Sequence, residues 1–262
     1  MNRNVGPTRM DCMNDVRLPL IGLLCLNLAA PPGQLSAADL EAQQRQAFVA
    51  AFVRPRSITA GMSTILFDGT ATVVNKRRAA LHESHPAYFG GGFEEDDVVL
   101  VEEAIQGRRY FVVQTDGPSA DPAFYFIDAA TRKEGGWIPG DILVLSTTGA
   151  LHVFQRSDSL FAKRTEWRFA DGRVTELRPP EYKIGLRTIT TDTLVVTDRL
   201  AGRAIARLEK NAPIEVISSD DKDRDGATAF LVRTSAGQVG YVLVPHRQCP
   251  ESVVLGLCWM GD

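Results

Sequence analysis

Histidine and cysteine are both scarce in this chain, with four of each among 262 residues. No G-x-S-x-G elbow occurs, which removes the usual signature of a serine-hydrolase nucleophile. His246 and Cys249 are close in sequence, but that spacing alone does not make a base and a nucleophile. Basic charge is not in excess: 29 Lys and Arg stand against 32 Asp and Glu, for a net charge of −3. A nucleic-acid footprint is therefore not expected. Long apolar runs are missing as well, save one at the N-terminus. With 44% apolar and 23% charged residues, the composition is that of a folded globular chain, neither disordered nor collagen-like.

The one apolar run spans residues 18–30, follows Arg17 and ends in Pro31, Pro32 and Gly33. It falls short of the ~20 residues that a bilayer-spanning helix requires. A basic start, a short apolar stretch, a breaker and the small residues Ser36, Ala37 and Ala38 describe a signal peptide over residues 1–38, cut after Ala38. Met13 offers an alternative start with a more compact basic region. Export implies a periplasmic or secreted protein, with no membrane span after cleavage. It removes Cys12 and Cys25 and leaves Cys249 and Cys258, which in an oxidising compartment read as one disulfide pinning the C-terminal tail. So short a loop contributes about 2–3 kcal/mol by chain-entropy arithmetic.

Beyond the leader one helix is expected, over residues 38–53. Leu40, Ala47, Phe48, Ala51 and Phe52 fall on one side at helical spacing, interrupted by Gln44. Ser36 or Asp39 can cap the start, and Pro55 stops it. The period then drops to two. Short apolar runs flank turn signals at Asp68-Gly69, Gln106-Gly107-Arg108, Thr147-Thr148-Gly149 and Asp171-Gly172, each expected to close a hairpin. No second helix-length amphipathic segment separates the strands, so antiparallel sheet is expected in place of βαβ units. Residues 39–180 thus read as an antiparallel β domain with one short N-terminal helix. Pro179 and Pro180 break the pattern. The short strands and small turns of residues 181–262 are dense enough to suggest a small barrel.

Part of this last segment resembles the bacterial SH3-like domain. The residues that carry the resemblance are Leu194-Val195-Val196-Thr197-Asp198, the run from Ala204 to Ile217, Ala229-Phe230-Leu231-Val232-Arg233-Thr234 and Gly237-Gln238-Val239-Gly240-Tyr241-Val242. Asn211 stands where the family has Gly, and Tyr241 where it has Trp; the Arg-Ser-Gly-Pro signature is missing. The match covers about residues 186–247. It implies an SH3-like barrel ending in a disulfide-pinned tail. More broadly, residues 120–262, including the closing Gly256-Leu257-Cys258-Trp259, are similar to exported bacterial proteins with an SH3-like C-terminus, which implies architecture and no chemistry.

Candidate chemistry is sparse. Asp221, Asp223 and Asp225 alternate ahead of Gly226, as carboxylates converging on Ca²⁺ would, but Val232 stands where such a loop needs a bidentate acid. A solvated strand connection is the competing reading. His82 and His85, with Glu83 and the acids at 94–97, offer zinc-type ligands on an irregular, glycine-rich stretch. Phe230, Tyr241 and Trp259 could floor a peptide groove; core packing is the commoner fate of such residues. No cofactor is expected. The reading that results is an exported, non-catalytic binding module whose partner is a peptide, a cell-wall component or an envelope protein. The alternative is an envelope hydrolase with a metal-assisted site in the 82–97 loop.

Overall fold

A computed structural model describes residues 36–52, 56–60, 63–67, 72–73, 100–116, 122–156 and 159–259. Nearly all of the expected leader and the whole 82–97 loop lie outside them. The helix α1 (Ala37–Ala50) begins with a capping box. The Ser36 hydroxyl accepts from the Asp39 backbone N–H at 3.2 Å, and the Asp39 carboxylate accepts from the Ser36 N–H at 2.9 Å. This satisfies two donors that a helix start otherwise leaves orphaned. The same Ser36 contacts hold the Asp39 carboxyl below the ordinary range. Cleavage after Ala38 would remove this cap and the start of the first turn. Among the described residues no helix is long and apolar enough to cross a membrane.

Strands in three sheets follow. The first sheet orders β1 (Arg56–Ala60), β2 (Ser63–Phe67), β8 (Ile142–Leu145), β9 (Ala150–Gln155), β10 (Lys163–Ala170) and β11 (Arg173–Glu176). The second orders β3 (Thr72–Val73), β4 (Leu100–Ile105), β5 (Arg108–Asp116), β6 (Pro122–Asp128) and β7 (Glu134–Pro139). The third orders β12 (Tyr182–Ile189), β15 (Pro213–Asp223), β16 (Ala227–Thr234), β17 (Val239–Pro245), β13 (Leu194–Thr197) and β14 (Ala204–Leu208).

Turn chemistry sets much of the register. Gln106-Gly107 (φ 52° and 78°) and Asp171-Gly172 (φ 52° and 75°) close β4–β5 and β10–β11 as two-residue loops, with positive φ at both centres. That is the type I′ geometry whose twist matches antiparallel strands. The hairpin expected at Asp68-Gly69 does not form: β2 and β3 belong to different sheets. β2 pairs instead with β1, and on its other side runs parallel to β8. This parallel pair departs from an all-antiparallel arrangement.

The first two sheets face one another across a core that includes Phe67, Leu143 and Val153 on one side and Val112, Phe124 and Phe126 on the other. The opposite face of the first sheet, with Leu66, Ile142, Val144 and Phe154, is covered by Phe48 of α1. Burial on both faces explains why β8 reads as the unbroken apolar run Ile-Leu-Val-Leu. On α1 only Leu40 and Phe48 are buried; Ala47 and Ala51, which the helical spacing grouped with them, are exposed.

The third sheet curves around its own core of Val216, Phe230, Val232, Val242 and Val244, which also takes in Leu40 from α1 and Val254 and Leu257 from the tail. It is not closed, and the expected SH3-like barrel is corrected on this point. β12 and β14 are the two ends of the sheet and share no ladder. The tail, and not β14, pairs at the C-terminal end of β12. Thr190 bridges Val254. The Leu255 N–H donates to the Ile189 carbonyl and the Thr191 N–H to the Val253 carbonyl, both at 3.0 Å.

The expected bond between Cys249 and Cys258 is present, with Cα atoms 5.1 Å apart. Buried Arg156 grips the same tail, donating to the Cys258 carbonyl at 2.9 Å and to the Ser159 carbonyl at 2.5 Å. Its backbone N–H donates to Asp141, whose other oxygen pairs with Arg45 of α1 at 2.9 Å. Burial pushes the Asp141 carboxyl up, against the pull of Arg45.

Leu40 thus carries the helix into the core of the third sheet. Leu40→Ala is expected to destabilise the chain by about 2–5 kcal/mol, through lost burial and a cavity. Ser36→Ala is expected to cost about 1 kcal/mol in the uncut chain. Urea unfolding of both variants measures the two values.

Candidate functional site

Strand alternation places the side chains of the third sheet on two unlike faces. Gly240, Val242 and Val244 of β17 point inward; Tyr241 is half-buried and Leu243 is exposed on the outside. Tyr241 sits opposite Leu231 of β16 and Thr197 of β13. Two residues from Thr197, on the same face of β13, Val195 is exposed. Leu200, exposed in the turn after β13, stands beside Tyr241 at a shallow cleft. Ala229 and Leu231 are its apolar floor; Glu181, Ser218, Asp220 and Arg224 supply its polar side.

The polar side is tightly paired. Arg224 reaches both oxygens of Asp220, at 2.9 and 2.5 Å. That fork holds the Asp220 carboxyl below its ordinary value. The Ser218 hydroxyl donates to Glu181 at 2.8 Å. Charge in the cleft is therefore satisfied internally, while the adjoining apolar side chains face solvent.

Of the three aromatic residues expected to floor a groove, the structure leaves only Tyr241 on this face. Phe230 is fully enclosed in the core, edge-on to Phe161 at 5.6 Å between ring centroids. It pairs with Val242, so it takes the inward face. Trp259 packs against the tail side of that core and stacks on His246 at 6.0 Å. The three do not meet.

The acidic run is a hairpin. Arg224 and Ala227 exchange backbone hydrogen bonds around Asp225-Gly226, whose φ values of 53° and 78° again give a type I′ turn. The Asp223 carboxylate accepts from the Gly226 N–H at 2.9 Å. Asp221 instead pairs with Lys163 of β10 at 2.6 Å. The Asp-Gly pair serves strand reversal, and the carboxylates of Asp221 and Asp223 are committed to different partners. Among the described residues no group of three or more His, Cys, Asp and Glu side chains is placed to hold a metal. His82 and His85 lie outside those residues.

Lys163–Asp221 is one half of a junction between the first and third sheets. The other is the Tyr182 hydroxyl donating to Glu176 at 3.0 Å. Composition and turn signals carried no hint of Lys163–Asp221, which joins positions far apart in the chain; Glu176 and Tyr182 are only six residues apart but lie on strands of different sheets. The exposed apolar face did leave a trace. Leu194-Val195-Val196 and Val242-Leu243-Val244 are unbroken apolar triplets, where a strand with one wet face should alternate.

No protein-family model, curated protein or solved structure matches the chain. The resemblance to the SH3-like domain accordingly gains no support, and the face described above rests on its own geometry.

Burial, reinforced by Glu176, pushes the Tyr182 hydroxyl up to about 12 from an ordinary 10.0. The folded chain therefore holds the phenol neutral where the unfolded chain releases its proton. This contribution to stability is complete below pH 10 and is lost as pH rises from 10 to 12. Tyr182→Phe is expected to flatten the decline across that interval, and unfolding at graded alkaline pH measures the difference between the two slopes.

Proposed function

We propose that this chain is an exported, non-catalytic binding protein of the periplasm or cell envelope, and that it engages a protein or peptide partner through the outer face of its third sheet. The observation that carries the reading is the exposure of Val195, Leu200 and Leu243 beside half-buried Tyr241 on strands whose inner face already fills a core. The core accounts for the inward side chains and gives no reason for apolar ones outside. Contiguous exposed apolar surface of this kind marks an interaction site. Tyr241 adds an aromatic body with a polar tip, the residue type that interfaces favour.

The location rests on the signal-like N-terminus and on the disulfide, which persists in an oxidising compartment. A short apolar groove whose charges are already paired suits a peptide better than a polar glycan. No observation among the described residues favours the metal-assisted hydrolase.

The chain is expected to be retained by an immobilised envelope-protein fraction and not by purified peptidoglycan. Tyr241→Ala combined with Leu243→Glu should reduce retention at least tenfold, about 1.4 kcal/mol or more. Leu243→Glu alone, at an exposed position, should change stability by no more than about 0.5 kcal/mol. Failure of the unaltered chain to bind any envelope fraction overturns the reading.

A further inference from the structure

β14 is an edge of the third sheet, paired with β13 on one side only. Its two faces differ in chemistry. Ala206 and Leu208 pair with Val196 and Leu194 and pack, partly buried, against the core. Arg207 pairs with Val195 and is exposed on the outer face. The turn leading into β14 adds exposed Arg199 and Arg203, for which no ion pair occurs among the described residues. Asp198 of the same turn spends its carboxylate on the Arg203 backbone N–H at 2.9 Å, and Glu209 meets Arg207 at 3.3 Å, with both of those last side chains more than two-thirds exposed. Such a pair is weak and readily exchanged.

We propose that an extended segment of a partner protein, alternately apolar and acidic, adds as a seventh strand to the third sheet along β14. An added strand continues the two rows of its neighbour. Its inward residues lie beside Ala206 and Leu208 and cover what those leave open to water, so they are apolar. Its outward residues lie beside Arg207, and those near the turn meet Arg199 and Arg203, so they are acidic. The Ile205 carbonyl already accepts from the Gln238 side chain at 3.3 Å; backbone hydrogen bonds to the rest of the edge, around Arg207, supply affinity, and the alternating side chains supply choice of partner. The proposal rests on reading the third sheet as a binding surface and names the chemistry of what binds.

The full chain is titrated with a labelled octapeptide of alternating Val and Glu, and with its Val and Lys counterpart. Two further forms carry N-methyl groups on either the odd or the even amides. The Val/Glu peptide is expected to bind saturably and the Val/Lys peptide not to bind. One N-methylated form should lose at least tenfold in affinity and the other little, because only alternate amides face an adjoining strand. Arg199→Glu with Arg203→Glu should weaken the Val/Glu peptide at least tenfold. Equal binding of both N-methylated forms overturns strand addition, as does equal binding of the Val/Glu and Val/Lys peptides. Absence of saturable binding, or binding of anionic vesicles in its place, overturns the proposal and leaves the arginines as guards of an open edge. If the peptide fails while envelope retention still depends on Leu243, the strand proposal falls and the binding face stands; if both fail, neither does.

Discussion

Leu40 and Phe48 stand about 12 Å apart along α1 and enter different cores. Leu40 completes the interior of the third sheet, and Phe48 covers the outer side of the first. The helix therefore belongs to neither layer alone. Its orientation is fixed from a third point by Arg45, which pairs with Asp141 at the start of β8. A helix with so weak an apolar stripe has little stability of its own. It is held because two separate cores each lack one side chain that it carries.

Asp141 extends that constraint. One oxygen receives Arg45 from the helix and the other the backbone of Arg156, whose buried guanidinium reaches the carbonyl of Cys258. A buried carboxylate and a buried guanidinium are each expensive to desolvate. Here every partner is supplied by an element that must arrive in place: helix, first sheet and tail. The disulfide closes the tail into a loop, and Arg156 anchors that loop to the first sheet. The anchored tail pairs at the end of β12, and β14 is left as the other end of the open third sheet.

An open sheet has consequences that a barrel does not. Closure would have removed both edges and turned every inward residue toward one interior. With β14 at the edge, Arg207 and the two arginines of the preceding turn lie next to an outer face carrying Val195, Tyr241 and Leu243. The apolar face and the basic edge are contiguous, because Val195 and Arg207 are cross-strand neighbours. Affinity from apolar contact and selectivity from charge are thereby available to one ligand.

Several features follow from local chemistry and were legible without the fold. A cap at Ser36 or Asp39, which the structure gives to Ser36, and the turns at Gln106-Gly107 and Asp171-Gly172 depend only on neighbouring residues. Period-two alternation marked most of the strands, and the cysteine count marked the disulfide. The site was scarcely legible: of Phe230, Tyr241 and Trp259, only Tyr241 lies on the exposed face. Whether an aromatic residue points in or out depends on register against a neighbouring strand, which no local pattern records. Asp221 found Lys163, and β2 found β8 in preference to β3, across separations that a sequence does not display. The sequence by itself determined the mainly β character, the helix and its cap, and the tight turns, since each is decided within a few residues. Only the tertiary structure decided which strands became neighbours, that the tail rather than β14 took the end of β12, and which apolar side chains were left facing water, because those outcomes depend on long-range competition for the same edges and the same interior.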